Sequence, residues 1–151
     1  MYLILKNKQR LIRLTTLLVG VTMLGFSLPN AWAGTDSLQV AVKQGEHIFT
    51  TETFGGRGIT CQSCHMAGGR TMGEAPNGIK IPSLTNAAAI FPRFNPKTQR
   101  VVTLQNQIEA CIAGAIGGQP IKNGGLQMTD LVSYLTSLAH GQRINMGGKP
   151  K

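Results

Sequence analysis

Aromatic residues make up only 5% of this 151-residue chain, and acidic residues number 6 against 15 lysines and arginines. So few large rings give a core little bulk of its own, and such a core gains from a bulky non-protein group that fills it. Cysteines number 3, an odd count that excludes a framework in which every thiol is paired in a disulfide. No internal repeat is visible, which excludes a solenoid. The length suits one domain with a core and is short for two.

What is present begins with a basic stretch, Lys6, Lys8, Arg10 and Arg13, followed by an apolar run from Leu14 to Leu28. Pro29 then breaks any helix, and Ala31-Trp32-Ala33 offers the small residues that a signal peptidase cuts after. The run falls short of the roughly 18 residues of a membrane span. Residues 1–33 therefore read as a cleaved Sec-type signal peptide, with an uncleaved anchor as the alternative, and 34–151 as an exported, periplasmic domain without a stable membrane span. Four basic residues leave with the leader, so 11 remain against 6 acidic ones, a net charge of +5. That surface favours acidic partner proteins and lacks the footprint of a nucleic-acid binder.

The cysteines carry the chemistry. In Cys61-Gln62-Ser63-Cys64-His65 two thiols three positions apart can add to the two vinyl groups on one edge of a haem. The histidine that follows directly is then placed as the proximal ligand of the iron. A zinc site would need a second pair of ligands, and the chain supplies none. A thioredoxin-like motif would need alternating strands and helices, and the pattern shows none. The motif thus predicts one covalently bound haem c, held by Cys61 and Cys64 with iron on His65.

Around it the fold class reads as all-α, a small cytochrome c-like domain with helices wrapped around the haem and an ordered core of about 36–141. Helical periodicity covers 36–50, with Val42, Gly45, Ile48 and Phe49 on it, then Leu104 to Ala115, then about Leu126 to Ala139. Residues 66–103, rich in Pro and Gly, read as a long haem-wrapping loop. The tail from Arg143 reads as loose.

This outline resembles the class I cytochrome c domain. Gly45 and Phe49 stand where that family's first helix presents a glycine and an aromatic, and Leu131, Tyr134 and Leu135 match the L-x-x-Y-L of its last helix. Pro82-Ser83-Leu84 resembles the family's P-x-L, which implies that the Pro82 carbonyl accepts the Nδ1 proton of His65; Pro76 is an alternative.

The distal ligand has several candidates: Met66, Met72, Met128, Met146, His47, His140 and Cys111. Met66 adjoins the proximal His, Met72 needs a sharp return of the loop, and Met146 lies in the glycine-rich tail. His47 falls beside the Gly45/Phe49 face and His140 at a helix C-terminus. Met128 shares a stripe with Leu131 and Leu135, the spacing of core packing. Cys111 is either a small buried hydrophobe or a thiolate ligand.

A second resemblance bears on this choice. The segment from Arg100 through Thr103, Leu104 and Ile108 to Cys111 is similar to the R-x-x-T-L-x-x-x-I-x-x-C of sulfur-oxidising cytochromes. These are the thiosulfate dehydrogenases and the catalytic haem subunit of the Sox (sulfur oxidation) system. Tyr134-Leu135 through Leu138-Ala139-His140-Gly141 resembles the ending of the same group. The likeness implies that Cys111 is the distal iron ligand, with Met128 as the alternative. It also implies redox partner proteins, among them a second cytochrome subunit, because the group generally carries two haems and this chain has a single C-x-x-C-H. Arg57, Arg70, Arg93, Lys97 and Arg100 are candidates for holding an anion such as thiosulfate. The expected function is one-electron transfer within sulfur-compound oxidation; the alternatives are the haem subunit of a thiosulfate-oxidising enzyme and a ligand-sensing haem.

Overall fold

The computed structural model of the chain describes residues 33–75 and 77–151, all within one compact unit. The expected leader, apart from the helical backbone of Ala33, lies outside the described residues, as does Pro76. Helix α1 runs Ala33–Thr51, a 3-10 turn covers Cys61–Ser63, and α2 is the short Ala87–Ile90. Helix α3, Leu104–Cys111, continues into a π-helical turn at Ile112–Ile116, and α4 spans Leu126–Leu138.

The two long helices cross first in importance. On α1 the inward positions are Gly45 and Phe49, with Val42 and Ile48 packed beside them; on α4 they are Met128, Leu131, Tyr134 and Leu135. These recur at helical spacing and so lie on one face of each helix. Gly45 makes the crossing close, because a β-carbon there would run into the carbonyl oxygen of Asp130 and come within 2.7 Å of the Tyr134 Cβ. The Phe49 ring then tilts against the Tyr134 ring at 5.4 Å between centroids.

Helix α3 starts at the residue its cap dictates. The Thr103 hydroxyl accepts from the Asn106 backbone N–H at 3.2 Å, and the Asn106 side-chain oxygen accepts in return from the Thr103 N–H at 3.2 Å. Its far end is closed by Gly117 in the left-handed region (φ 70°) and by Arg57. The Arg57 guanidinium donates to the carbonyls of Gly114 (3.1 Å) and Ala115 (2.6 Å), which the helix end leaves without partners.

The expectation of an all-α domain is corrected by two antiparallel ribbons within 66–103. Strands β1 (Gly73–Glu74) and β2 (Lys80–Ile81) pair Gly73 with Ile81 and Glu74 with Lys80. Strands β3 (Arg93–Asn95) and β4 (Arg100–Val102) pair Arg93 with Val102 and Asn95 with Arg100. Segments of two or three residues are too short to display the alternation that marks a strand in sequence. What makes the second ribbon is its turn, where the Asn95 side chain accepts from the Lys97 N–H at 2.9 Å.

The tail expected to be loose is also held down. Asn145 and Gly147 donate to the carbonyls of Ala89 (2.8 Å) and Ile90 (2.9 Å), while Ser83 donates to that of Lys151 (2.8 Å). Buried Asn86 takes both roles at once, donating to the Lys149 carbonyl at 3.0 Å and accepting from the Lys151 N–H at 3.3 Å. Glycine-rich composition speaks for the freedom of an isolated chain, and these backbone bonds are tertiary.

Candidate haem site

The haem motif is folded as a single tight turn. Thr60 caps it through Ser63, and the His65 N–H returns to the Cys61 carbonyl at 3.0 Å. Side chains three apart eclipse in a 3-10 turn, so Cys61 and Cys64 fall on the same side. Both thiols line a cavity of about 610 Å³, together with His65. That size is within the usual range of cofactor pockets. No disulfide joins the three cysteines.

His65 is oriented from both sides. Its Nδ1 lies 3.2 Å from the Pro82 carbonyl oxygen, and its ring packs 6.4 Å from that of Phe49. A carbonyl can only accept, so this bond puts the proton on Nδ1 and leaves Nε2 with its lone pair. Burial lowers the His65 pKa while the Pro82 bond works against that, and the neutral imidazole is the form an iron ligand needs. Burial pushes the Cys61 thiol up to about 12, with Cys111 and Cys64 adding to the effect and a bond from its own backbone opposing it.

The loop after His65 is pinned by α4. The Tyr134 hydroxyl donates to the Gly68 carbonyl at 2.7 Å and receives a bond from Arg70 at 3.3 Å. Gly68 in turn donates to the Gln62 side chain at 3.1 Å, and Leu84 donates to the Gly69 carbonyl at 2.7 Å. Tyr134 thus couples the helix crossing to the loop after the haem motif and, through Gly68, to Gln62 within it. Burial raises its pKa above the ordinary 10.0, against a lowering influence of Arg70. The folded state therefore holds the phenolic proton more tightly than the unfolded chain. Stability from this group is complete below the ordinary value and is lost as pH rises through the raised one. Without residues 1–33 the chain has Tyr134 as its sole tyrosine, so NMR of ring-labelled tyrosine should report a titration above 10.0, with thermal stability falling in parallel.

Cys111, at the end of α3, lines the same cavity as His65, along with Ile108, Ile112, Leu131 and Leu135. Met128 does not line it; its side chain is 1% exposed and sits within the helix core. Met66, Met72 and Met146 are more than half exposed, and His47 and His140 are exposed as well. Paired thiols, a neutral imidazole and an apolar lining suit a covalently held haem.

A family model, that of the SoxA/TsdA cytochrome c domain, matches residues 44–144. The chain belongs to this family. A cytochrome c domain carries haem c and its iron bound covalently, and the residues just described fit that group. Thiosulfate dehydrogenase of Psychrobacter arcticus is 26% identical over 96 residues, which are 64% of this chain and 27% of that protein. The L-cysteine S-thiosulfotransferase subunit SoxA of Pseudaminobacter salicylatoxidans is 26% identical over 107 residues, 71% of this chain and 33% of that protein. Among solved structures, thiosulfate dehydrogenase TsdBA from Marichromatium purpuratum has a TM-score of 0.58 at 24% identity, covering 83% of this chain and 28% of that one. SoxXA from P. pantotrophus gives 0.57 at 21% identity, covering 72% and 36%. These two share the fold. This member of the SoxA/TsdA family spans 27% and 33% of the length of the two curated relatives.

The basic candidates separate in three dimensions. Arg57 is committed to helix-end carbonyls, and Arg70 to Tyr134 and, at 3.9 Å, to Glu46. Arg93, packed 5.8 Å from the Phe91 ring, and Lys97 line the haem cavity, whereas Arg100 faces a neighbouring one. Two residues that motif reading passed over are Arg57 as a helix cap and Gln107, whose spacing of four from Cys111 on one helix was the available signal. Among the described residues no helix is long and apolar enough to cross a membrane.

Proposed function

We propose that this protein is an exported, periplasmic monohaem cytochrome that transfers one electron at a time within sulfur-compound oxidation, and that it works with a partner cytochrome. Cys61 and Cys64 hold the haem, His65 is the proximal ligand with Pro82 orienting its ring, and Cys111 is the distal ligand. The observation that carries this reading is that both motif thiols, His65 and Cys111 line one apolar cavity while Met128 is packed away from it. A haem bound there supplies a ferric/ferrous couple that takes up and returns one electron. The chain's own part is to keep water out, to hold His65 by two packed contacts, and to set the potential. An anionic sulfur stabilises ferric iron by its charge, where a Met sulfur would raise the potential. Kinship with thiosulfate dehydrogenase and SoxA supports the sulfur context.

A second reading, the haem subunit of a thiosulfate-oxidising enzyme, draws on Arg93 and Lys97 lining the cavity that holds Cys111. Joining two thiosulfates as tetrathionate releases two electrons, so a single haem would need a second acceptor. Low-temperature EPR of the ferric protein tests the primary reading, with a low-spin thiolate signature expected. A spectrum of Met–His type would overturn it. Thiosulfate added with a candidate partner cytochrome separates the two readings: reduction accompanied by tetrathionate supports the enzyme, and electron exchange with the partner alone supports the carrier.

A further inference from the structure

Gln107 stands one helical turn before Cys111 in α3, and its side-chain Nε2 donates to the Cys111 Sγ at 3.4 Å. For a sulfur acceptor this is an ordinary hydrogen-bond length, longer than to oxygen because sulfur is larger. Residues four apart on a helix meet on one face, so the contact is built into the helix and needs no loop to hold it. Gln107 also lies between two cavities. It lines the haem cavity, and it lines a second one of about 540 Å³ shared with Asn95, Thr98, Arg100 and Asn106. The sulfur's neighbour on α3 is thus a neutral amide backed by polar groups.

We propose that Gln107 is a positioning residue for the distal ligand, its amide N–H fixing the Cys111 sulfur and raising the potential of the haem to which that sulfur binds. The proposal rests on Cys111 being the ligand. A donor aimed at a thiolate stabilises negative charge on sulfur, which lowers the electron density given to ferric iron. Hydrogen bonds to ligating sulfur are an established lever on potential. The amide does this without adding a charge to the cavity. The Nε2–H also restricts the rotation of a side chain that is only half-buried.

Two variants of the haem-loaded protein test this, Gln107→Leu, which removes the amide, and Gln107→Glu, which keeps the shape and sets a carboxylate against the sulfur. The potential should fall in the order wild type, Leu, Glu. At a fixed applied potential the ferrous-to-ferric ratio of Gln107→Leu should drop about tenfold, a shift of about 59 mV for a one-electron couple. All three should keep a thiolate EPR signature, with changed g-values in the variants. If the wild type shows the thiolate signature and the three potentials coincide, the role of Gln107 is overturned and ligation by Cys111 stands. If the wild type shows no such signature, ligation by Cys111 fails and this proposal fails with it.

Discussion

A Cys111→Ala variant is expected to lose the thiolate signature of its ferric spectrum and to rise in midpoint potential by on the order of 100 mV, within the roughly 0.8 V over which axial ligands set haem potentials. Removing an anion from the distal side takes away charge that favours ferric iron. Among the described residues none of the other distal candidates lines the cavity: Met128 is packed into the helix core, and Met66, Met72, Met146, His47 and His140 are exposed. The distal position should then open to small molecules, and carbon monoxide should bind the reduced variant faster than the wild type. The folding cost should be small by comparison, since Cys111 is only half-buried. Optical redox titration and EPR check the first effect, and stopped-flow carbon monoxide binding the second. Unchanged spectra and potential in the variant would show that the iron takes its ligand elsewhere.

The second large effect is on stability. Gly45→Ala should destabilise the domain by about 3 kcal/mol. In an unconstrained helix the same change stabilises by roughly 0.5–1 kcal/mol, because alanine has less backbone freedom to lose. Here the new methyl group would meet the Asp130 carbonyl oxygen and lie 2.6 Å from the Asp130 carbonyl carbon and 2.7 Å from the Tyr134 Cβ. Backbone atoms cannot swing aside as a side-chain tip does, so α1 and α4 must separate. The sign is therefore set by the clash. A shift of α4 also moves Tyr134, and with it the bond to Gly68 that holds the loop after His65. A melting temperature lower by about 10 °C or more is expected, read by circular dichroism of the haem-loaded protein. A variant as stable as the wild type would show that the crossing is looser than described.

Much of the site was legible along the chain because its chemistry is local. Cys61, Cys64 and His65 are neighbours, so the turn that eclipses the thiols needs only their own backbone. Gly45, Phe49 and Tyr134 could be paired across the chain through a resemblance, and the crossing brings them together. The short ribbons at 73–81 and 93–102 were hidden, since strands of two or three residues leave no periodicity. The tail was hidden for another reason, in that its bonds run to Asn86, Ala89 and Ile90, more than fifty positions away.

The amino-acid sequence by itself determined the chemistry on one side of the cavity: two thiols three apart, a histidine beside them, and the periodic helices that flank them. Local spacing suffices for that, because each element is specified by residues a turn or less apart. Only the tertiary structure decided which side chains line the other side of the cavity, where a resemblance alone favours Cys111 over Met128 as the ligand. Cys111 and Met128 both lie on helical stripes, and nothing in their spacing separates them. Gly45 lets α1 and α4 approach closely, Met128 is buried in the core, and Cys111 and its partner Gln107 line the cavity that His65 also lines.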